Sequence, residues 1–537
     1  MKHTFRPIFI LLALLGLATV TATAQLPKDL TPQQKLQVTQ HIIDEFYVDP
    51  VDQDTLTTEA IKAMLKTLDP HSSYTTAEET KEFTQPLEGK FSGIGIQFNM
   101  LQDTVYVIQT IAGGPSEKVG IRPGDRIVSA NDTILAGLKM KNTDVMKYLR
   151  GPKDTMVKLG VKRADSPELI EFRVVRDDIP IYSVDDAYMA DPETGYIVIS
   201  RFAEDTGKEV AEAIEKLRAR GAKKLIVDLS NNGGGYLGAA FELASLFLPK
   251  GSAVVSTAGR AFPPATYNTE YDGPYRDMPL AVIVNQYSAS ASEIFSGAIQ
   301  DHDRGVIVGR RTFGKGLVQR PFPFPDGSMI RLTTAHYYTP SGRSIQKHYQ
   351  KGHTEEYQLD MLNRYTSGEL WHRDSIPTPD SLRYETLRLH RPVYGGGGIV
   401  PDEFVPVDTS YYSPYYRDIM AKAVLAQYCV NYVDNHRAEL TAQYPDEEDF
   451  QQKFTVSDGL MDGLIQAATD AGVTYNEEEY RRSEPLLRAM VKGLLARDLY
   501  EKGSYLRSVN PLIPDFRRAL QILQNQQDYT TILSPHK

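Results

Sequence analysis

Three short apolar runs, each followed by a helical pattern, restrict the fold of this chain more than any other feature. The runs are rich in β-branched residues and end in polar or glycine residues: Tyr196–Ser200, Leu225–Leu229 and Ala281–Val284. Runs of this length and composition predict strands, and strands that alternate with helices predict βαβ units. We therefore expect an α/β core that begins near residue 179.

A glycine-rich turn follows the second run, and an apolar helix is expected after it at Tyr236–Leu248. The turn reads Ser230-Asn231-Asn232-Gly233-Gly234-Gly235. A strand, a glycine turn and a helix N-terminus present free N–H groups that suit an anion. The P-loop and dinucleotide fingerprints are missing here, so nucleotide binding has little support. The N–H groups suit an oxyanion hole; alternatively, the turn only lets the helix pack closely on the sheet.

A serine cluster, Ser288, Ser290 and Ser292, opens the helix that follows the third run. The N–H groups and the positive end of a helix dipole suit a nucleophile that acquires negative charge. Ser290 and Glu293 also have the S-x-x-E spacing of a capping box, so an ordinary helix cap is the alternative. Spacing alone does not choose among the three serines.

Lys315 lies between two glycines, and Gln319 follows four residues later. On a strand or on a helix these two side chains share a face, so the amide can orient the amine. A lysine acts as a base only when burial lowers its pKa from about 10.4 toward about 7 to 8. The alternative is a solvated surface charge.

Short strands with one helix, at Lys141–Leu149, fill the segment from Phe91 to Asp178. Its run Ser92-Gly93-Ile94-Gly95-Ile96 resembles the carboxylate-binding loop of a PDZ domain, and GPSEKVGIRPGD resembles the short helix and turn. N–H groups freed by glycine form an anion nest, and the adjacent strand edge accepts a peptide by β-augmentation. Ile94 and Ile96 are expected to help form a pocket for an apolar last side chain. An ordinary β-bulge is the alternative.

Both ends of the chain show helical patterns. Thr31 before Pro32 predicts a helix start. Further helices are expected at Thr58–Leu68, Ala421–Tyr432, Phe450–Ala468 and Leu486–Tyr500. His71 follows the helix expected at Thr58–Leu68, in a polar turn, and is interpreted as a structural turn residue.

The first 24 residues have the pattern of a signal peptide. Basic residues precede an apolar run, Ile8–Val20, and Ala22-Thr23-Ala24 follows it. Thirteen apolar residues are too few to span a bilayer. We expect an exported protein that is periplasmic or otherwise extracytoplasmic, soluble or membrane-associated; an uncleaved anchor is the alternative. Cys429 is the only cysteine, so no intrachain disulfide can form.

Several separated motifs together closely resemble the carboxyl-terminal processing peptidases, also called tail-specific proteases, which are PDZ-containing Ser-Lys serine peptidases. The motifs are Leu68–Ser72, Asp228–Gly235, Ser288–Ile294, Gly297–Asp301, Gly309, Thr312–Gly316 and Tyr338–Gln346. With the PDZ-like segment, the likeness covers roughly residues 30 to 346 and again Gly397 to Val405. It is specific because order and spacing agree across independent blocks.

The resemblance implies a multidomain α/β fold: a crotonase-like or ClpP-like βαβ protease core, an inserted mainly-β PDZ domain, and α-helical N- and C-terminal regions. The expected boundaries are a signal peptide at 1–24, N-terminal helices at 25–85, a PDZ domain at 86–178, the protease core at 179–346, a polar insert at 347–393, the end of the core at 394–410, and C-terminal helices at 411–537.

The resemblance also implies roles for individual residues. Ser290 is the nucleophile, with Ser288 and Ser292 as positional alternatives, Lys315 is the general base, and Gln319 holds Lys315. The backbone N–H groups of Gly234 and Ala291 form the oxyanion hole, and the loop Ser92, Gly93, Ile94, Gly95 and Ile96 binds peptide. No metal or cofactor is implied.

Two positions qualify the resemblance. Where the family commonly has proline, this chain has Gly233, which loosens the backbone at the expected oxyanion hole. Asp301 also matches a family position, and an ion pair with Arg304 at the helix end is the alternative.

The expected function is an exported serine endopeptidase that recognises C-terminal tails. The alternatives are a PDZ scaffold that binds exported C-termini and a crotonase-like acyl-thioester enzyme, which an exported PDZ protein argues against. Expected partners are proteins or peptides with apolar tails, an activating or adaptor protein, and a second copy that forms a dimer through the helical regions. A net charge of −10 without a basic cluster argues against nucleic acid.

Overall fold

The computed structural model describes residues 30–111, 113–163, 166–500 and 504–535. The expected signal peptide at 1–24 lies outside these residues. In the described ranges, every helix is too short or too polar to cross a membrane. The chain forms two compact units with a boundary between Lys66 and Thr67.

The first unit contains two helices, α1 (Pro32–Phe46) and α2 (Gln53–Lys66). The expected start of α1 is confirmed: Thr31 accepts the N–H of Gln34, and the Gln34 side chain accepts the N–H of Thr31. Helix α2 begins earlier than the expected Thr58. The Asp52 carboxylate accepts the Asp54 N–H at 3.1 Å and thereby caps the earlier start.

The second unit begins with β1 (Ser73–Thr75) and α3 (Ala77–Thr84) and continues into a PDZ-like domain. Its elements are β2 (Lys90–Gly93), β3 (Ile96–Leu101), β4 (Thr104–Thr110), α4 (Pro115–Lys118), β5 (Arg126–Ala130), β6 (Thr133–Ile134), α5 (Asn142–Leu149), β7 (Met156–Lys162), β8 (Ile170–Val175) and β9 (Asp177–Pro180). The sheet runs β3-β4-β5-β7-β8, so β3 is an edge strand, and β2 pairs separately with β9. The expected mainly-β segment with one longer helix is confirmed.

The core follows the PDZ-like domain. Its elements are β10 (Val184–Met189), β11 (Thr194–Ile199), α6 (Thr206–Ala219), β12 (Lys224–Asp228), α7 (Leu237–Ser245), β13 (Ala253–Ala258), β14 (Ala265–Asn268), β15 (Leu280–Val284), α8 (Ala291–Asp301), β16 (Val306–Gly309), β17 (Leu317–Pro323) and β18 (Met329–Tyr338). The insert and the end of the core add α9 (Thr354–Gln358), α10 (Asp360–Thr366), β19 (Arg383–Glu385), β20 (Pro392–Tyr394) and β21 (Glu403–Phe404).

The main sheet of the core has the order β10-β11-β12-β15-β16-β21, and the strands from β11 onward are parallel. Helices α6, α7 and α8 cover one face, with Val210, Leu243 and Phe295 buried against it. The predicted βαβ core is therefore confirmed. Because β12 and β15 are adjacent and parallel, the turns that follow them meet at one edge of the sheet.

A second sheet has the order β1-β18-β13-β14, and β17 also pairs with β18. In this sheet Gln319 of β17 lies opposite Thr333 of β18, and Ser73 of β1 lies opposite Arg331. Lys315 stands just before β17. The hairpin thus brings the turn around residue 71 close to the segment that contains Lys315 and Gln319.

The C-terminal region is helical, as expected, with different boundaries. Its helices are α11 (Pro414–Ala421), α12 (Val424–Gln443), α13 (Glu447–Lys453), α14 (Asp458–Asp470), α15 (Glu477–Leu499), α16 (Tyr505–Val509), α17 (Pro514–Gln524) and α18 (Gln526–Ile532). The single helix expected at Phe450–Ala468 is wrong. The Ser457 hydroxyl oxygen accepts the N–H of Leu460 and thereby starts a new helix, because a serine side chain can replace the carbonyl that would otherwise accept this N–H in a continuous helix.

Helix α17 covers the second face of the main sheet, where Phe516 and Ile522 pack with Ile226 and Ile283. Within the same chain, the C-terminal helices therefore bury apolar surface against the core. The expected dimer through the helical regions stays a prediction.

Candidate active site

The turns after β12 and β15 are hydrogen-bonded to each other. Asn231 N–H donates to Asn285 Oδ1, and Asn285 Nδ2 donates to Asn231 Oδ1, both at 3.0 Å. Ala289 N–H donates to the Asn232 carbonyl at 3.0 Å. The glycine turn (residues 230–235) and the serine turn (residues 285–290) thus form one rigid surface at the carboxyl edge of the sheet.

Ser290 occupies the last position before α8 with φ 56° and ψ −112°. A positive φ is strained for a residue with a side chain, and such strain is concentrated at functional sites. A sharp strand-to-helix turn of this kind exposes a serine, as in a nucleophile elbow.

The neighbouring serines are differently placed. Ser288 and Ser292 are fully buried, and their hydroxyls donate to the carbonyls of Leu229 at 2.8 Å and Asn232 at 2.9 Å. Ser290 is partly exposed. Of the three serines left open by spacing, Ser290 is therefore the one that a substrate can reach.

Glu293 links the serine turn to the loop that contains Lys315. Its carboxylate is fully buried, and Oε2 accepts the Ser290 N–H at 2.8 Å and the Lys315 N–H at 2.9 Å. Oε1 accepts the Gly314 N–H at 2.7 Å and the Thr312 hydroxyl at 2.5 Å. Burial raises the pKa of Glu293, and the four donors oppose the rise. The sequence pattern identified Glu293 only as a cap partner; its contacts with the loop are tertiary.

Tyr337 provides a second link between the same two residues. Its buried hydroxyl donates to the Lys315 carbonyl and lies 3.3 Å from the Ser290 carbonyl. The Phe313 N–H also donates to the Ser288 carbonyl at 3.0 Å. The backbones of Ser290 and Lys315 are therefore held together by a carboxylate at their N–H groups and a phenol at their carbonyls.

The Lys315 amine has neither a hydrogen bond nor an ion pair with any described residue. Burial lowers its pKa from the usual 10.5 to about 8, and the positive charge of Arg331 contributes. Glu293 and Asp69 act in the opposite direction. A substantial fraction of the lysine is thus neutral at mildly alkaline pH, which a general base requires.

Gln319 makes no hydrogen bond to Lys315 in this structure. Its Nε2 is buried and has no partner among the described residues. Gln319 lies opposite Thr333, whose hydroxyl donates to Asp69 at 2.9 Å. The role of Gln319 in holding Lys315 therefore stays a prediction, although Gln319 lies on the strand that begins just after Lys315.

His71 lies in a turn, as predicted, because the Asp69 carboxylate accepts its N–H at 2.9 Å. The turn is nevertheless part of the site. Burial, and next the charge of Lys315, lower the pKa of His71 to about 4, so the ring is neutral at pH 7. Its Nε2 lies 2.7 Å from the hydroxyl of Tyr357. In the described ranges, no group of three or more His, Cys, Asp or Glu side chains is arranged to hold a metal.

The oxyanion donors expected at Gly234 and Ala291 stay a prediction, and their two N–H groups are differently engaged in this structure. A Cβ at Gly234, which has φ +97°, would lie 2.8 Å from the Ser290 Cβ and 2.9 Å from the Ala291 nitrogen, so this glycine lies directly against Ser290. Its N–H is not free, however, because it donates to Asn232 Oδ1 at 2.8 Å. The N–H groups of Gly233 and Ala291 have no acceptor among the described residues.

The ion pair of Asp301 with Arg304, given above as the alternative, is wrong. The partner of Asp301 is Arg343 rather than Arg304: the two side chains are fully buried and lie 2.7 Å apart. Arg304 instead donates to backbone carbonyls, including that of Phe247 at 2.9 Å. Asp301 is thus half of a buried ion pair that holds the segment after β18 against α8.

The expected peptide loop of the PDZ-like domain keeps two backbone donors free. The N–H groups of Ile94 and Gly95 have no acceptor among the described residues, and Gly95 has φ +75°. Ser92 and Gly93 instead pair with β9. The Ile94 side chain is only 2% exposed and belongs to the domain core, so its expected part in an apolar pocket stays a prediction. Ile96 is partly buried beside that core and starts the free edge strand β3.

Four family descriptions match this chain. Residues 193–357 match peptidase family S41, and residues 92–174 match the PDZ domain. Residues 18–80 match the activating protease CtpB N-terminal domain, and residues 415–501 match a family of unknown function.

Curated relatives match over a shorter stretch than their full length. A probable CtpA-like serine protease of Staphylococcus aureus (strain N315) is 36% identical over 58% of this chain and 62% of its own length. A probable CtpA-like serine protease of Staphylococcus epidermidis is 35% identical over 58% and 63%. A solved structure, the photosystem II D1 C-terminal processing protease, is 28% identical over 59% of this chain and 91% of that chain, with a TM-score of 0.33. The peptidase, PDZ and N-terminal domain matches, together with the CtpA-like relatives, support a carboxyl-terminal processing peptidase family for this chain.

Proposed function

We propose that this chain is a serine endopeptidase, exported through its N-terminal segment, that binds the C-terminal tails of proteins and hydrolyses their peptide bonds. One observation carries the proposal: a single carboxylate oxygen of Glu293 accepts the backbone N–H groups of both Ser290 and Lys315. That contact joins the backbones of a strained serine and of a lysine whose pKa is lowered to about 8, which supports pairing the two in catalysis. Such a pair suits nucleophilic catalysis.

In the proposed first half-reaction, neutral Lys315 takes the Ser290 hydroxyl proton while Oγ attacks the carbonyl carbon of the scissile bond. The carbonyl oxygen becomes an oxyanion. When the tetrahedral intermediate collapses, the C–N bond breaks and the Lys315 ammonium protonates the departing amine. The acyl group remains as an ester on Ser290.

In the second half-reaction, Lys315 takes a proton from water and the resulting hydroxide attacks the ester carbon. Collapse breaks the bond to Oγ, which recovers the proton from Lys315, and the acid product leaves. We assign Gln319 to hold the ammonium form through its side-chain oxygen. Its unpartnered Nε2 supports a polar role for this side chain in the loaded site.

Ala291 N–H is one proposed oxyanion donor, because it is free and next to the nucleophile. The second is Gly234 N–H, which must first leave Asn232 Oδ1. Its proximity to Ser290 supports this choice over Gly233, where an added Cβ meets nothing within 4 Å. On this proposal the structure corresponds to a resting state with an incomplete oxyanion hole.

The PDZ domain is proposed to hold the tail. The free N–H groups of Ile94 and Gly95 bind the terminal carboxylate, and the peptide adds a strand to the free edge of β3. Ile96 lies on that strand and contacts an apolar side chain of the tail.

The test is cleavage of an unfolded protein with an apolar C-terminus by the wild type, Ser290→Ala and Lys315→Ala. Both variants should lose cleavage by about a thousandfold or more, since the residues act as a unit. Ser288→Ala and the exposed Lys351→Ala are the matched controls and should still cut.

Equal cleavage by Ser290→Ala and the wild type contradicts the nucleophile assignment. A wild type that binds the tail peptide but cuts nothing supports the PDZ scaffold instead. Loss of cleavage when the last tail residue is amidated supports recognition of the carboxylate.

A further inference from the structure

The loop at residues 311–315, termed the lysine loop, has no regular secondary structure, yet every backbone N–H and carbonyl in it except the Arg311 N–H has a partner among the described residues. Its N–H groups donate to the core: Thr312 to Ile399, Phe313 to Ser288, and Gly314 and Lys315 to Glu293. Buried carbonyls require partners as well. The partners of this loop's carbonyls come mainly from outside the matched peptidase domain.

Arg364 provides most of them. It lies on α10 of the insert, beyond the peptidase match that ends at residue 357, and is 2% exposed. Its guanidinium donates to three successive carbonyls: Arg311 at 3.2 Å, Thr312 at 2.8 Å and Phe313 at 3.1 Å. A planar guanidinium is suited to this task because its donors form a fixed fork.

The charge of Arg364 is compensated within the insert. Asp360, one turn earlier on α10, lies 3.0 Å from Arg364 Nε and also 3.0 Å from the Lys347 amine. Glu369 accepts two hydrogen bonds from Arg311, at 2.8 and 2.6 Å. A buried cation is costly unless it is paired, so this network fixes where the guanidinium stands.

The lysine loop is therefore held from two sides. The Glu293 carboxylate, on the helix of the serine turn, holds its N–H groups, and the Arg364 guanidinium, on the insert, holds its carbonyls. We propose that Arg364 is a positioning residue for Lys315: it fixes the lysine loop against Glu293 so that the amine stays desolvated and aimed at Ser290. This inference rests on the proposed peptidase function and assigns the polar insert a part in it.

The test compares Arg364→Ala and Arg364→Lys with the wild type, with Arg373→Ala as the control. Arg373 is an exposed arginine of the same insert. The rate constant kcat/KM for a tail-bearing substrate is measured from pH 6 to 10, and near-UV circular dichroism checks the fold. The acid limb of this profile reports the general base of the free enzyme.

Arg364→Ala should lower kcat/KM about a hundredfold at pH 7, the typical effect of a small misplacement of a catalytic group. Its acid limb should move to higher pH than that of the wild type, because a loosened loop lets water stabilise the ammonium form of Lys315. Arg364→Lys should fall between, and methylguanidinium should restore part of the rate of Arg364→Ala. Arg373→Ala should match the wild type.

If Arg364 contributed to folding alone, its substitution would lower kcat/KM by the same factor at every pH. Folded Arg364 variants with an unmoved acid limb therefore overturn the inference. If Arg364→Ala does not fold, the profile of Arg364→Lys decides in the same way. If the wild type cuts nothing, the peptidase proposal fails separately from this inference. The positioning role is then tested by NMR, which follows the pKa of isotopically methylated Lys315 in the wild type and in Arg364→Lys. Equal pKa values in the two proteins overturn the inference.

Discussion

At the scale of single residues, Lys315 shows how burial produces a base. Its amine is removed from water without a counterion within bonding distance among the described residues, and Arg331 adds repulsion. The charged form is therefore disfavoured, which lowers the pKa to about 8. The same arrangement costs stability whenever the amine is protonated.

The first prediction concerns this cost. Below about pH 8 the Lys315 amine is protonated in both the folded and the unfolded chain, and only the folded state carries the cost of burying its charge. Between about pH 8 and 10.5 the unfolded chain binds more protons than the folded chain, so the free energy of unfolding rises with pH. Lys315→Met should be about 1 to 3 kcal/mol more stable than the wild type at pH 7. The advantage should shrink toward pH 10. Urea unfolding from pH 6 to 10 measures it, with Lys351→Met as an exposed control; a difference independent of pH contradicts the prediction.

The second prediction separates two adjacent glycines. Gly234→Ala forces a Cβ to within 2.8 Å of the Ser290 Cβ at φ +97°, so it should lower kcat about a hundredfold or more and destabilise the fold by about 2 to 4 kcal/mol. Gly233→Pro removes an N–H that the proposed mechanism does not use and should keep kcat within about threefold. Turnover and melting temperature are the measurements. A folded Gly233→Pro enzyme that loses about a hundredfold in kcat would show that Gly233 is the oxyanion donor.

At the scale of elements, the site depends on how α8 meets the lysine loop. Helix α8 is buried along its whole length, so Glu293 in its first turn has no access to solvent. Its carboxylate replaces water for four donors from two separate segments. The helix thereby orders the loop as well as carrying the serine turn.

The third prediction tests this contact through Glu293→Gln. An amide offers one acceptor oxygen and turns an NH2 group toward the N–H donors. The variant should lose about 2 to 4 kcal/mol of unfolding free energy and about a hundredfold in kcat/KM. The exposed Glu212→Gln on α6 is the control, measured by urea unfolding and kinetics. A loss below about 0.5 kcal/mol would mean that the carboxylate does not order the loop.

At the scale of the whole second unit, the PDZ domain is docked on the C-terminal helices. Asp434 of α12 accepts the Tyr106 hydroxyl at 3.2 Å and pairs with Arg126 at 3.0 Å. Val430 packs beside them against Tyr106 and Ile108. The helical region is therefore a support for the domain proposed to hold the tail.

The fourth prediction concerns this support. Asp434→Ala leaves the buried Tyr106 hydroxyl and Arg126 without their acceptor and should cost about 1 to 3 kcal/mol. Hydrogen exchange should accelerate at Thr104–Thr110 and remain unchanged at Leu280–Val284 in the main sheet. The exposed Asp462→Ala is the control. Equal acceleration in both strands would show that the PDZ domain has no separate docking equilibrium.

Much of the architecture was predictable because its causes are local. Apolar runs, the Thr31–Pro32 helix start and the alternation of strands and helices depend on nearest neighbours along the chain. The βαβ core and the PDZ-like strands follow from such patterns. The break at Ser457 was missed, because a helix start capped by a serine and an uninterrupted helix differ in free energy by only about 1 kcal/mol. The spacing of apolar residues does not reveal so small a difference.

The sequence by itself determined that a serine turn, a glycine turn and a lysine segment follow the strands of one α/β core. Only the tertiary structure decided how these parts act on one another. It assigned Gly234 N–H to Asn232, placed the His71 ring against the Tyr357 hydroxyl, and enclosed the lysine loop between Glu293 and Arg364. These outcomes depend on buried hydrogen bonds and charges between residues far apart in the chain, and their strength comes from the exclusion of water, which no local pattern specifies.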